Sequence, residues 1–289
     1  MSNKVNDDYP GKAPKMSDTQ LKDLATAKYN SKSAETDEIQ VFDFPTEIVE
    51  LPSKGKLYPD GHPLAKGTIE MKYMTAKEED ILTNQSFIRN GVVLDKLFKA
   101  LIVTPCEYND LIVCDKNAVM VAARVLGYGK DYPVKVKNPN TGDTVEHTVD
   151  LTQLNEREID WSLINAKNEF DFELPASKRK VKVKILTQRD QTRIDKETKG
   201  LAKLKKTATS TVTMKHVIVD LDGERDNAKI RKFVDTELLA MDSRAIRQFL
   251  KSITPDIEMK IEVPDGDSGD TFRVPLNIGL DFFWPDVEL

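Results

Sequence analysis

The order of the periodic segments restricts most strongly what this chain can fold into. Apolar and polar residues alternate over Gly67–Met74, which predicts a strand. Three segments with helical periodicity follow before the next strand, so the order is not the alternating βαβ order of a parallel sheet. A capping box opens the first helix at Thr75, and Gly127 is expected to close the third. The predicted helices cover 75–85, 92–102 and a stretch that begins at Asp115 or Asn117.

Blocks of hairpins and helices make up the rest of the chain. A turn rich in Pro, Gly and Asn separates two alternating runs, which is typical of a hairpin. The predicted hairpins pair Tyr132–Val136 with Val145–Leu151, Phe170–Leu174 with Val181–Ile185, and Ile257–Val263 with Thr271–Leu276. The predicted helices cover 188–206, 209–220, 226–240 and a stretch capped by Asp242. These blocks predict an α+β fold of helical clusters and β-hairpins with an extended N-terminal arm.

The N-terminal 38 residues differ in composition from the rest. Seven acidic residues and six lysines stand among Ser, Thr and Asn, with few aliphatic residues. Such a segment buries too little apolar surface to offset its ordering entropy. Ser17 is a candidate cap for a short helix with Leu21 and Leu24 on one face, so the segment is either a frayed tail or an arm that docks on a partner. The predicted division is an arm at 1–38, an N-terminal α+β domain at 39–155 and a C-terminal α+β domain at 156–289.

Composition argues against several classes of protein. The net charge is −5. Nucleic acids and anionic membranes usually bind basic surfaces, so this charge does not suggest a protein dedicated to binding either of them. No window reaches 18 apolar residues, and the N-terminus lacks the apolar core of a signal peptide, so a cytosolic setting without membrane insertion is expected. Two cysteines, Cys106 and Cys114, fit a reducing compartment and are expected to act as small buried hydrophobic residues.

Motifs for catalysis, metals and cofactors do not match their templates. The two cysteines and three scattered histidines lack the close paired spacing of a zinc site. The Asp265–Asp270 run has glycine at the wrong position for a calcium loop. Gly127-Tyr128-Gly129-Lys130 continues with Asp131, where a phosphate loop needs Ser or Thr. We therefore predict no enzyme activity, no cofactor and no metal.

A basic stretch is the strongest charge signal in the chain. Residues 178–206 hold twelve Lys or Arg and three acids, a local charge of +9, and no aromatic residue for base stacking. Three interpretations remain: a solvated face, an interface with an acidic protein or an acidic surface of another copy, or a nucleic-acid contact.

Several short motifs together resemble one protein family over residues 45–289. They are Leu51-Pro52-Ser53-Lys54-Gly55-Lys56-Leu57-Tyr58-Pro59, the block from Gly67 to Leu82, the helix around Asp95-Lys96-Leu97, the segment Asp115–Lys130, Val149-Asp150-Leu151, and the closing Leu280-Asp281-Phe282-Phe283-Trp284-Pro285. This set is similar to the baseplate hub subunit and hub-assembly proteins of T-even-like contractile-tailed phages, especially marine myovirus versions. Some relatives carry a Cys-Pro-x-Cys-Gly knuckle where this chain has Asn138-Pro139-Asn140-Thr141-Gly142, so no zinc knuckle is carried over.

The resemblance implies a non-enzymatic structural or assembly protein of a phage baseplate. The expected partners are the hub and tape-measure proteins in an oligomeric assembly, with no membrane partner, and the expected location is the virion tail after assembly in the host cytoplasm. The alternative is a nucleic-acid-associated module that uses residues 178–206. The candidate partner-binding residues are Leu21, Leu24, Leu51, Lys54, Tyr58, Arg189, Arg193, Lys196, Lys203, Phe283 and Trp284.

Overall fold

The computed structural model describes residues 45–139, 141–205, 208–265, 271–276 and 279–283, and these residues have the predicted α+β architecture. Contacts join the described residues from Pro45 onward into one unit. The predictions for the arm, including its Leu21 and Leu24 helix, lie outside the described residues. The predicted boundary between residues 155 and 156 stays a prediction.

Four small antiparallel sheets contain the strands of the described chain. Three are pairs, β1–β2, β3–β4 and β8–β9, and the fourth has the order β5–β6–β7. The strands are β1 (Thr46–Glu50), β2 (Thr68–Lys72), β3 (Asp131–Lys137), β4 (Thr144–Asp150), β5 (Phe170–Glu173), β6 (Lys180–Val183), β7 (Ile218–Leu221), β8 (Lys260–Pro264) and β9 (Thr271–Pro275). All three predicted hairpins are therefore confirmed.

The helices lie in two blocks of the sequence, as the periodicity predicts. The first block holds α1 (Ala76–Thr83), α2 (Gln85–Asn90), α3 (Val93–Leu101) and α4 (Val113–Tyr128). The second holds α5 (Gln188–Lys203), α6 (Thr209–Val217), α7 (Asn227–Thr236) and α8 (Ala240–Ile253). The capping box at α1 is confirmed, since the Thr75 amide donates to Glu78 Oε2 at 3.1 Å. Of the helices that the structure describes, none combines the length and apolarity needed to cross a membrane.

Helix α4 is longer at both ends than its predicted bounds. Asp115 does not open the helix, because it lies inside the first turn and its carboxylate is buried. Gly127 does not close it, because the backbone remains helical to Tyr128. The Gly129 amide then donates to Val125 O at 2.9 Å, which completes the last turn. Glycine at 127 instead allows a close approach, since a Cβ there would lie 3.0 Å from the Cε of Met74.

Two further predictions are wrong in the C-terminal half. The predicted helix 209–220 ends at Val217, and Ile218–Leu221 forms β7 against β6, where Val183 pairs with Ile218 and Val181 with Leu221. Burial of Ile218 and Leu221 favours the sheet there. Asp242 does not cap α8, because the N-cap of this helix is Leu239. The Asp242 carboxylate instead accepts hydrogen bonds from the amides of Ala176 at 2.7 Å and Ser177 at 3.1 Å.

One hydrophobic core runs through the described residues and contains side chains from both helix blocks. Its largest fully buried side chains include Phe98, Phe233, Phe282 and Phe283. Backbone contacts also join the two halves, since the Gln188 amide donates to Leu111 O at 2.7 Å and an isolated bridge joins Ile112 to Thr187. The start of α5 is thereby held beside the start of α4, which positions the surfaces described next.

Candidate partner-binding surfaces

The loop Leu51–Tyr58 is organised by one buried carboxylate. Asp115 accepts hydrogen bonds from the Ser53 amide at 2.9 Å, the Ser53 hydroxyl at 2.7 Å and the Tyr58 hydroxyl at 2.7 Å. The Tyr58 oxygen in turn accepts from the Ile112 amide at 3.1 Å. Burial raises the pKa of Asp115 and also that of Tyr58, and the hydrogen bonds from Tyr58 and Ser53 oppose the shift on the carboxyl. The loop is thus held to α4 by a satisfied polar cluster.

The backbone of this loop requires glycine at position 55. Lys54 and Gly55 both have positive φ angles, 49° and 74°. A Cβ on Gly55 would lie 2.3 Å from the carbonyl oxygen of Ala65, so any side chain would collide with backbone. This close approach folds the loop against the short 3₁₀ turn Pro63–Lys66 and directs Lys54 and Lys56 outward.

Two lysines of the loop surround one tryptophan. The Nζ atoms of Lys54 and Lys56 lie 5.1 Å and 5.0 Å from the centre of the Trp161 ring. Lys54 also pairs with Glu156 at 3.2 Å, and about half of its side chain remains exposed. Of the predicted loop residues, Lys54 is therefore at the surface, whereas Leu51 and Tyr58 are 1% and 3% exposed and pack inside this chain.

The second candidate surface is the outward side of α5. The exposed cations Arg193, Lys196 and Lys203, together with Arg189, fall within about 80° of arc at about 100° per residue. We call Arg193, Lys196 and Lys203 the basic face. Within the described residues these three cations have no acidic partner, whereas Arg189 pairs with Asp110 at 2.7 Å.

The acidic side chains of α5 lie on other sides of the helix, and two of them form ion pairs with cations of this chain. Asp190 is buried and pairs with Lys184 at 2.7 Å. Burial raises its pKa, but hydrogen bonds from Lys184 and Thr187 outweigh that effect and hold the pKa of Asp190 below its usual value. Arg231 binds Glu197 through two hydrogen bonds of 3.0 and 2.9 Å and lowers the pKa of that carboxyl. Asp195, the third acid of α5, is exposed on another side of the helix and accepts a hydrogen bond from Gln191 at 2.8 Å. Positive charge without a paired acid is therefore left on the basic face.

The structure brings part of the loop and the start of α5 together. A groove of about 650 Å³ is lined by Tyr58, Asp110 and Thr187 among others. Lys203 lies at the opposite end of α5, about 24 Å away along a helix of 16 residues. The loop therefore lies beside the start of α5, and none of the three basic-face residues lines the groove.

The C-terminal aromatic residues have different positions. Phe283 is 1% exposed and contacts Phe282 edge-on, with ring centres 5.8 Å apart, so its side chain belongs to the core of this chain. Trp284, Leu21 and Leu24 lie outside the described residues. The predicted contact roles of the exposed residues Lys54, Arg189, Arg193, Lys196 and Lys203 stay predictions.

Sequence patterns did not identify three buried charged residues that hold loops and chain segments in place through hydrogen bonds. Asp115 and Asp242 both satisfy loop amides, and Arg124 donates from Nε to Phe282 O at 3.1 Å and from Nη1 to Gly129 O at 2.9 Å. Each lies among apolar residues of a helix face, and a charged residue in an apolar stripe is the signal that identifies such a position.

Among the described residues no group of three or more His, Cys, Asp or Glu is placed to hold a metal ion. Both cysteines are free, and burial raises the pKa of the Cys106 and Cys114 thiols. A largely apolar cavity of about 580 Å³ lies beside Cys114, Met214 and Leu250.

Comparison with known proteins identifies a family. The family model described as T4 bacteriophage base plate protein matches residues 44–284. No curated protein and no solved structure matches the chain.

Proposed function

The chain belongs to the T4 bacteriophage base plate protein family, and on that premise we propose that it is a non-enzymatic subunit that binds the hub and tape-measure proteins while a contractile tail is built. Its place is then the baseplate of the virion tail, and it joins an oligomeric assembly made in the host cytoplasm. A structural role in a phage baseplate follows from the family, whereas the particular partners are our proposal.

The observation that carries the proposal is the basic face of α5. Three exposed cations on one side of a helix have no acidic partner within the described residues, while the acids Asp190 and Glu197 of the same helix are paired with cations of this chain. Complementary charge steers association and sets the orientation of the partners. A tail protein with an acidic surface is the partner that fits this face.

The first experiment measures whether the chain stays in the particle. Quantitative peptide mass spectrometry of purified phage gives its copy number relative to the hub protein. A small integer ratio identifies a resident subunit. Absence from particles, with abundance in complexes with tail proteins in the lysate, identifies an assembly chaperone; that result supports the proposed partners and contradicts the proposed place in the virion. Absence from both particles and tail-protein complexes would contradict the proposal.

The second experiment tests the basic face directly. The variant Arg193→Glu/Lys196→Glu/Lys203→Glu is co-expressed with the hub and tape-measure proteins and captured by affinity purification. The matched control is Lys232→Glu/Arg244→Glu/Lys251→Glu, which reverses three exposed cations on α7 and α8. We expect at least a tenfold loss of partner recovery for the first variant only. Equal recovery with both variants would exclude the basic face as the interface.

A further inference from the structure

Strand β1 is an open edge in the described part of the chain. It pairs only with β2, from Thr46 opposite Lys72 to Glu50 opposite Thr68. Ile48, at its centre, is 70% exposed. An exposed edge strand with an apolar centre is a template for pairing with another strand.

The hydrogen-bond pattern shows which groups face outward. The Tyr73 amide donates to Pro45 O at 3.2 Å, and the Leu51 amide donates to Gly67 O at 2.9 Å. In an antiparallel ladder alternate residues bond to the same neighbour. The odd-numbered residues of β1 therefore bond to β2, and Thr46, Ile48 and Glu50 direct their amides and carbonyls to the open edge.

We propose that two copies of this chain pair through β1, antiparallel, with Ile48 of one copy opposite Ile48 of the other. This register places Thr46 opposite Glu50 of the second copy on each side of the two-fold axis. The three outward residues of each copy then exchange six backbone hydrogen bonds. The product is a four-stranded sheet in the order β2, β1, β1, β2. The pairing is independent of the proposed hub and tape-measure contacts.

The side chains of this register are compatible in shape and charge. Residues directly opposite each other share a face of the sheet, so the two Ile48 side chains meet at its centre. Each Glu50 enters the cross-strand row of Thr46 and Lys72 of the other copy, so a cation stands in that row, and this cation is also paired with Glu78 of its own chain at 2.8 Å. Glu47 lies opposite Val49 of the second copy, and no acid lies directly opposite another acid.

The size of the contact sets its strength. A five-residue edge buries less than the roughly 1,200 Å² of a stable interface, so the pairing is reversible and depends on concentration. A covalent trap therefore detects it better than a sizing column. Opposed Cα atoms in a hydrogen-bonded antiparallel pair are about 5.5 Å apart, within the roughly 4.4–6.8 Å that a disulfide spans.

The test uses single cysteines in a Cys106→Ser background, with Cys114 left buried. Ile48→Cys is expected to form a disulfide-linked dimer at least tenfold faster than Thr46→Cys or Glu50→Cys under mild oxidation. The last two positions lie about 13 Å from their own copies, four residues along the strand. The double variant Thr46→Cys/Glu50→Cys should cross-link, because this register opposes those two positions.

A proline variant separates strand pairing from chance collision. Ile48→Pro removes only an outward-facing amide, and proline is tolerated on edge strands. Added to the double-cysteine chain it should abolish the cross-link, whereas Ile48→Val should preserve it. Equal cross-linking rates at positions 46, 48 and 50 would overturn the proposal, and so would a cross-link from position 48 to a different tail protein.

Discussion

The hydroxyl of Tyr58 donates a 2.7 Å hydrogen bond to Oδ2 of Asp115, across 57 positions of sequence. The same oxygen accepts from the Ser53 hydroxyl, so one carboxylate of α4 holds both ends of the loop that carries Lys54 and Lys56. The whole cluster is buried. The positions of the exposed lysines Lys54 and Lys56 therefore depend on Asp115, which is buried and has no contact with solvent or a partner.

Removal of this carboxylate should destabilise the chain. In Asp115→Ala the donors of Ser53 and Tyr58 stay buried without an acceptor, at about 1–3 kcal/mol for each unsatisfied group. Because three such donors lose their acceptor, we expect a total loss of at least about 3 kcal/mol of unfolding free energy in urea denaturation. Asp80→Ala, an exposed site on α1, is the control and should change stability by less than about 0.5 kcal/mol. Equal values for the two variants would contradict the role of Asp115.

A methyl group should have opposite effects at two glycines. Gly55→Ala places a Cβ 2.3 Å from Ala65 O at a φ of +74°, and we expect a loss of at least about 2 kcal/mol. Gly200→Ala lies inside α5 with open space around the new atom, and we expect a gain of about 0.5–1 kcal/mol. Thermal and urea unfolding measure both values. A neutral Gly55→Ala would show that the loop backbone tolerates a side chain.

Acid should weaken the contribution of Asp190. Its pKa is below the usual value, so the folded chain keeps the carboxylate ionised at a pH where the unfolded chain takes up a proton. The stability difference between the natural chain and Asp190→Asn should be about 1–2 kcal/mol at pH 7. It should shrink as the pH falls below about 4, the region of the unfolded pKa. Urea titrations at pH 7, 5, 4 and 3 measure this, and a difference that stays constant would contradict it.

Loss of the Phe283 ring should affect folding before it affects binding. The side chain is fully buried against Phe282, and Phe→Ala in a core costs about 3–5 kcal/mol. We expect that loss in Phe283→Ala, measured by denaturant unfolding. Leu163→Ala, at a position 47% exposed, should change stability by less than about 0.5 kcal/mol. An unchanged stability with lost partner binding would instead place Phe283 in the interface.

Nucleic acid should not bind the basic stretch strongly. Arg179, Lys182, Lys184 and Arg189 are paired with carboxylates of this chain, so phosphates would have to displace them. We expect a dissociation constant weaker than about 100 μM for a 20-base-pair duplex at 50 mM salt, by fluorescence anisotropy. Tighter binding with a steep salt dependence, lost in the Arg193→Glu/Lys196→Glu/Lys203→Glu variant, would favour the nucleic-acid alternative.

Local patterns predicted the elements whose determinants are close in sequence. The capping box at Thr75 and Glu78 needs only four consecutive residues, and it begins α1 as predicted. The turn after β3 behaves likewise, because the Asn138 side chain accepts from the Thr141 amide and Gly142 adopts a φ of 81°. The hairpins follow because alternation over a few residues selects the face that is buried.

Long-range partners explain the predictions that were wrong. Asp115 and Asp242 stand near helix starts and have the residue type of a cap, but their partners are amides up to 62 and 66 positions away. Ile218–Leu221 continues a helical pattern, yet it forms a strand because β6 offers backbone groups and a buried face at that position. No local window contains those partners.

For the candidate surfaces, too, the sequence showed residue type and charge, whereas the structure showed which side chains are buried or paired. The basic stretch is visible in composition, but only the structure shows that Asp190 and Glu197 are paired with cations of this chain and that Arg193, Lys196 and Lys203 remain exposed. Likewise, aromatic character alone does not distinguish a core Phe283 from an interface residue, because both environments favour aromatic rings.

The sequence alone therefore determined the α+β class, the order of hairpins and helices, the family resemblance and the location of the positive charge. These depend on residue type and short-range periodicity. Tertiary structure decided which charged groups are buried, which ion pairs form and which edge of β1 stays open. The reason is that the free energy of burying or pairing a polar group depends on neighbours that folding alone brings within hydrogen-bond distance.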